Sequence, residues 1–455
     1  MSKPTILNTL ERKVIILLGD LFIIISALNL FINDALDEKV ESLWHKIMFY
    51  AAGVFIYLFI SYALDFYNLE KSIKKRVVFS QSIYIVGSFV LLVFISMVIF
   101  FDASFWRIPL IVFILLTPLA VFLWRTFYRS LFKVIPATKN ILYIHDDADK
   151  LRQEKFIKQI DGEGIQTYYK TKLTFALENI QFLQKGKFID ALEKVDSFIL
   201  NLKSYDKLSD ELEKILLDAI LMGKEVLSFT SFYENTYEAL PIQSHNDSFY
   251  EILQLRNRKV RYFQAIFTFI VNWILVIFVG LVFILVLPFV FILNIFFNRG
   301  PLFYTQKRIG HYGKEFLIYK FRSMVVDAEK TGAKMASKND ARITVFGKTL
   351  RIFRIDELPQ IISVVKGDMQ FIGPRPERKV FVDQLNQRIP FYNVRHLIKP
   401  GITGWAQVKY KYGENLEDSI KKLEYDLYYI KNKSIMLDIR IIFKTITTVL
   451  FSRGV

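Results

Sequence analysis

The chain has 455 residues, too many for one ordinary domain, and its lack of cysteine excludes disulfides, thiolate metal sites and cysteine nucleophiles. Hydrophobic residues make up 53% and charged residues 23%, with a mean hydropathy of +0.29, which excludes an ordinary soluble enzyme and fits a membrane region joined to soluble parts. The 60 Lys and Arg against 44 Asp and Glu give a net charge of +16, which suits anionic lipid headgroups or phosphorylated substrates, and no DNA-binding signature points to nucleic acid.

Four apolar stretches come first, at 14–32, 47–66, 77–100 and 108–127. Each is near the ~20 residues a helix needs to cross a bilayer. Lys3, Arg12 and Lys13 precede them, Lys71, Lys74, Lys75 and Arg76 fill the second loop, and Arg125, Arg129, Lys133 and Lys139 close the series. The positive-inside rule then puts both ends of a four-helix bundle, residues 1–135, in the cytoplasm. No cleavable signal peptide is evident, since the first run is long and lacks a small-residue cleavage site. Asp20 and Asp65 lie near segment ends, which suits an interface rather than an ion pathway.

Residues 136–250 read as a soluble α/β domain. Short apolar strands are predicted at 140–144, 165–169, 198–202 and 226–229, and an amphipathic helix over 209–222 with Ser209 as N-cap and Gly223 as stop. This order predicts βαβ units around a small parallel sheet, Rossmann-like in outline. The first strand leads into His145-Asp146-Asp147-Ala148-Asp149 with no glycine-rich loop, so no backbone cradle for a pyrophosphate is expected. A helix cap with solvated charges explains these residues better than a metal site.

A fifth apolar stretch runs over 263–297, flanked by Arg256, Arg258, Lys259 and Arg261 before it and Arg299, Lys307 and Arg308 after it. Pro288 interrupts it. A single spanning helix and a broken, re-entrant helix both fit. The basic flanks on both sides favour re-entry, with a bend near Pro288 and both arms on the cytoplasmic face.

Beyond Pro301 the motifs become dense. Lys320-Phe321-Arg322-Ser323-Met324 alternates two cations about an aromatic, so on a strand both cations face one side. Arg351 and Arg354 precede Asp356-Glu357-Leu358-Pro359-Gln360; Pro359 suits the first turn of a helix that would stop at Gly367, with Asp356 near its N-cap. Gly373-Pro374-Arg375-Pro376 sets Arg375 on a stiff turn suited to a phosphate contact. Lys399-Pro400-Gly401-Ile402-Thr403-Gly404-Trp405-Ala406-Gln407 and Tyr425-Asp426-Leu427-Tyr428-Tyr429 follow. A carboxylate attacking a dianionic diphosphate needs cations to neutralise the repulsion, and Arg351, Arg375 and Lys320 are groups of that kind. Trp405 and Gln407 suit either a nucleotide contact or turn packing. Asp426 suits either a metal ligand or the partner of a buried arginine.

These ordered motifs, from about residue 256 onward, resemble the bacterial sugar transferase family, the monotopic phosphoglycosyl transferases. The four-helix front end with an α/β domain resembles its long form, the polyprenyl glycosylphosphotransferases. The resemblance implies a catalytic domain, 251–455, of mixed α/β fold anchored by a re-entrant helix. It implies transfer of a sugar-1-phosphate from a UDP-sugar to undecaprenyl phosphate, with release of UMP. That is the first membrane step of exopolysaccharide, capsule or O-antigen assembly, on the cytoplasmic face of the bacterial inner membrane. The family's Asp-Glu dyad falls on Asp356, the nucleophile, and Glu357. The resemblance also implies Mg²⁺, for which Asp356 and Asp426 are the candidate ligands, and the candidate substrate contacts are Lys320, Arg322, Arg351, Arg375, Arg395, Trp405 and Gln407. A homodimer and downstream glycosyltransferases are further partners that it suggests. One departure stands out: Leu287-Pro288 replaces the Ser-Pro often found at the family's helix break. Two other classes compete, a catalytically idle scaffold of a polysaccharide assembly complex and a nucleotide-sugar dehydratase or epimerase. The intact dyad argues against the first and the missing glycine fingerprint against the second.

Overall fold

The computed structural model describes residues 9–36, 43–63, 66–67, 79, 82–83, 85–87, 89, 107–131, 139–145, 169–176, 195–202, 208–242, 258–298, 300–328, 340–410 and 415–450. The chain forms two compact units, Met1–Ser228 and Phe229–Val455.

The first unit opens with apolar helices α1 (Thr9–Leu36), α2 (Leu43–Ala63) and α3 (Arg107–Leu131). They cover the first, second and fourth predicted stretches; most of the third lies outside the described residues. By length and composition, the window Lys13–Leu30 within α1 is able to cross a bilayer, while Lys46–Tyr62 and Phe113–Tyr128 are shorter apolar helices. Gly19 lets α1 close on α3, because a Cβ there would overlap the Trp124 ring. Beside this contact Asp20, fully buried, meets Arg125 at 2.5 Å. Arg125 also donates to Phe66 O at 2.8 Å and covers the Phe66 ring at 3.2 Å. The sequence sets Asp20 near a segment end, at an interface; the structure instead puts it well inside α1, fully buried, where a cation 105 residues away keeps the carboxylate from standing alone.

Four strands follow, β1 (Lys139–His145), β2 (Tyr169–Ala176), β3 (Ser197–Asn201) and β4 (Glu225–Ser228), with α4 (Asp210–Leu221) before the last. The sheet is parallel throughout, in the order β2-β1-β3-β4. Leu142, Ile144, Phe198 and Leu200 pack on Leu212, Leu216 and Ala219 of α4. Ser209 caps α4 by accepting from Leu212 N, and Gly223, at φ +78°, ends it. The second strand begins where 165–169 was predicted to end, and 165–168 lie outside the described residues, as do Asp146, Asp147 and Asp149.

The second unit begins with α5 (Phe229–Tyr237). The sequence assigns 229–250 to the middle domain. Here Leu240 and Ile242 instead enter a core built with Ile309, Val382, Leu423, Leu427 and Ile430, which covers these apolar side chains. Next comes α6 (Arg258–Phe297), 40 residues long and helical through Pro288. Its window Gln264–Phe297 is long and apolar enough to cross a membrane. One face is docked from Asn272 to Asn298. Asn272 Oδ1 accepts from Phe371 N, Phe283 packs on Phe321, Val290 is buried beside Leu350, and Asn298 donates to Arg322 O. The opposite face exposes Phe269, Ile277, Ile284, Phe289 and Phe296. A helix crossing away from its domain keeps contacts at one end only; α6 keeps them over most of its length, from Asn272 onward. The predicted bend at Pro288 is not needed to bring both ends to one unit.

Strands β5 (Phe303–Ile309) and β6 (Glu315–Phe321) form an antiparallel hairpin, followed by α7 (Val345–Ile352), a 3₁₀ turn (Ile355–Gln360) and α8 (Ile361–Val365). Then come β7 (Gln370–Ile372), α9 (Lys379–Arg388), a 3₁₀ turn (Tyr392–Leu397), β8 (Gly401–Thr403), α10 (Trp405–Lys409), α11 (Leu416–Asn432) and α12 (Ile435–Leu450). The short parallel pair β7–β8 carries the Gly373-Pro374-Arg375-Pro376 turn.

Candidate active site

Three local devices place the dyad. Thr344 caps α7 by accepting from Gly347 N, and Gly347 must lack a side chain, since a Cβ would fall 2.0 Å from Ser323 O. Arg354 then takes a left-handed conformation at φ 56° and turns the chain sharply. Asp356 and Glu357 sit in the 3₁₀ turn that follows, where Glu357 N bonds Arg354 O at 3.2 Å. The sequence predicts an α-helix from this point. The proline ring at 359 would strike the carbonyl four residues back in an α-turn, so the α-helix starts only at Ile361. It stops at Gly367 as predicted: φ is +81°, and Asp368 N returns to Ser363 O.

Cations converge on Glu357. Lys320 Nζ lies 3.0 Å and Arg375 Nη2 2.7 Å from Oε1, and Arg354 Nη1 lies 3.7 Å from Oε2. Burial works to raise the Glu357 carboxyl, but Arg375, Lys320 and Arg354 outweigh it and hold it well below the ordinary range. Asp356 is the reverse case. It is buried, and its Oδ1 has no hydrogen-bond partner. Burial, and then the charge of Glu357, push it up to about 6 against the pull of Lys320, Arg351 and Arg354. One carboxylate is thus neutralised and fixed, while its neighbour keeps an uncommitted oxygen, which is what a nucleophile or a metal ligand needs.

The other predicted residues divide. Lys320 is the penultimate residue of β6, with Phe321 packed behind it, as the alternation predicts. Arg322 lies one residue beyond the strand and turns its Nε to Pro301 O at 2.9 Å. Arg351 Nε donates to Ser323 Oγ at 2.9 Å, and its charge acts on Asp356. Arg395 is buried and donates to Tyr392 Oη and to Arg375 O, and it pairs with Asp426 at 2.8 Å. Of the two roles open to Asp426 in the sequence, the arginine partner is the one the geometry displays. Trp405 is fully buried, donates to Glu238 O at 2.9 Å and stacks on Tyr428, while Gln407 Nε2 donates to Ile402 O. The hydrogen bonds of Trp405, Gln407 and Arg322 therefore lead away from the dyad. Arg354 and Ser323 are site residues that the sequence reading does not name as such; the signal for Arg354 is its three-residue step to Glu357. Among the described residues no group of three acidic or histidine side chains stands ready to hold a metal ion.

Residues 262–452 match the family described as bacterial sugar transferase. The chain is 51% identical over 157 residues to the UDP-N-acetylgalactosamine-undecaprenyl-phosphate N-acetylgalactosaminephosphotransferase of Aeromonas hydrophila, covering 34% of this chain and 37% of that protein. It is 48% identical over 156 residues to the UDP-glucose:undecaprenyl-phosphate glucose-1-phosphate transferase of Xanthomonas campestris pv. campestris, covering 34% and 32%. The match thus spans about a third of the length of these two relatives. Against the Bacillus subtilis sugar transferase EpsL the identity is 40% over 156 residues, 34% of this chain and 73% of that one. The family match carries the dyad turn, the hairpin and the Arg375 turn, and the 40% identity to EpsL extends over most of that relative, so the chain is a member of the bacterial sugar transferase family.

Proposed function

We propose that the chain transfers a sugar-1-phosphate from a UDP-sugar to undecaprenyl phosphate. The observation that carries this is the pairing of a buried, unpartnered Asp356 oxygen with a Glu357 held by Lys320, Arg354 and Arg375. The substrate classes are those in the names of the Aeromonas and Xanthomonas relatives.

In the first step an Asp356 oxygen attacks the sugar-bearing phosphorus. The bond from that phosphorus to the bridging oxygen breaks, and UMP leaves with the electron pair. In the second step a phosphate oxygen of the lipid attacks the same phosphorus and Asp356 departs as a free carboxylate. Glu357 keeps Lys320, Arg354 and Arg375 gathered at the site, so positive charge is in place as negative charge develops. Asp356 Oδ1 fits a Mg²⁺ ligand, since Mg²⁺ is commonly held by one or two carboxylates plus substrate phosphates. When bound, the ion would supply further charge neutralisation on the diphosphate.

The test is UMP release from a panel of UDP-sugars with undecaprenyl phosphate, followed by UDP-sugar without the lipid. A phosphosugar mass on the peptide bearing Asp356, with ping-pong kinetics, is the expected result. UMP released only after the lipid binds would overturn the covalent step.

The same reading sets the protein in the bacterial inner membrane, with four crossings before residue 135 and the catalytic unit on the cytoplasmic face. α6 then enters one leaflet by its exposed apolar face, and its docked face keeps both ends on that side. Because the chain has no cysteine, single substitutions report cleanly. Cysteines at Ser204 and Ser337, which lie outside the described residues, and at Ser434 should all resist an impermeant thiol reagent in intact cells. One at Ser42, also outside them, should react. Labelling at 337 and 434 but not at 204 would make α6 a crossing and put the dyad outside, which refutes the proposal.

A further inference from the structure

We propose that Arg395 and Asp426 are positioning residues, a buried ion pair that touches neither substrate nor metal and holds Arg375 on Glu357 through the Arg375 carbonyl. The proposal rests on the function given above to the dyad.

The argument starts from the turn. In Gly373-Pro374-Arg375-Pro376 two of the four residues lack an N–H, so the turn has few donors with which to fix itself. Gly373 N donates to Thr403 O at 2.9 Å, and beyond it the turn is held by its carbonyls. Pro374 O accepts from Gly401 N at 2.9 Å, Arg375 O from Arg395 Nη2 at 3.0 Å and Pro376 O from Arg308 Nη1 at 3.4 Å. The prolines fix φ on both sides of Arg375, and Pro376 also restricts the residue before it. The carbonyl and the Cα–Cβ root of Arg375 therefore move together, with the backbone turn as one stiff piece. What fixes the carbonyl also fixes the point from which the side chain reaches the 2.7 Å contact with Glu357 Oε1.

Arg395 has little freedom for any other task. Its side chain is 7% exposed, and its guanidinium is divided among Tyr392 Oη, Arg375 O and Asp426. Asp426, 2% exposed on α11, supplies the charge without which a buried guanidinium would be unstable. No surface of this pair is left for a diphosphate. The aromatic run that carries Asp426 packs as core, with Leu423, Leu427 and Ile430 buried around it, so the carboxylate is delivered from a rigid helix.

Asp426→Asn keeps the shape and removes the charge. The expected result is a fall of about 10²-fold in kcat, as for a small misplacement of a catalytic group, with KM for the UDP-sugar and the Mg²⁺ requirement unchanged. Arg375→Ala combined with Asp426→Asn should be no slower than Arg375→Ala alone, because the pair acts through Arg375. Hydrogen exchange at Gly401 N–H, which is bonded to Pro374 O, should quicken in Asp426→Asn. Additive losses in the double variant, a raised Mg²⁺ requirement, or unchanged kinetics would each overturn the proposal. A wild-type chain that releases no UMP would refute the transferase reading instead; exchange at Gly401 still decides the positioning, quickened for it and unchanged against it. If Asp426→Asn does not fold, Tyr392→Phe, which removes one partner of Arg395, carries the same comparisons at smaller amplitude.

Discussion

Asp356→Asn should lower UMP release by at least about 10²-fold while the protein melts as the wild type does. The amide keeps the shape of the side chain but not the oxygen nucleophile. It also ends the repulsion that Asp356 now suffers from Glu357 and from burial, so stability should not fall. Glu357→Gln should be slower than wild type yet retain the phosphosugar adduct, because the nucleophile survives. Its cost is different in kind. Lys320, Arg354 and Arg375 lose the charge that gathers them, and they then repel one another across the site. A melt of the two variants beside their rates separates these effects. An Asp356→Asn variant with near-normal turnover would remove Asp356 from the mechanism.

Gly401→Ala should cost at least about 3 kcal/mol, which for a unit of this size lowers the melting point by roughly 10 °C in detergent. A Cβ at 401 would stand 2.1 Å from Gly373 N and 2.5 Å from Thr403 O. Both are backbone atoms, so no side chain can rotate aside. The β7–β8 pair must open, and the Arg375 turn opens with it. Gly313 provides the control. It has φ +75°, but nothing lies within 4 Å of a Cβ there. Gly313→Ala should therefore cost only the left-handed strain of about 1 kcal/mol. Equal losses at the two positions would show that conformation, not contact, rules both.

Much of the site was legible because its signals are local. The alternation at 320–322 placed Lys320 and Phe321 on opposite sides of β6. Gly367 marked a helix end, and Pro359 marked a helix start, although its ring delayed the α-helix to Ile361. The strands β1, β3 and β4 and the capped helix α4 follow from short-range pattern and capping. What stayed hidden depends on contacts between distant residues. Lys320 and Arg375 reach Glu357 across 37 and 18 residues, and no local pattern reveals that they choose Glu357 over Asp356. The Arg395–Asp426 and Asp20–Arg125 pairs are hidden for the same reason. Trp405 looks equally suited to a nucleotide or to a core until Glu238 and Tyr428 are seen against it.

The short segment that follows β4 bears on where this family's modules can be cut. The family match begins at residue 262, yet Leu240 and Ile242 are core residues of the second unit, and Glu238 binds Lys409, Arg440 and the Trp405 N–H. Tyr233 and Glu234 bond Glu424 and Lys431 of α11 in the same way. A fragment that starts at the family boundary would leave a hole in the core and strand those cations. In this chain the folded unit is therefore longer than the family match. When front ends are exchanged between relatives, the join belongs before Phe229, so that residues 229–242 travel with the enzyme they complete.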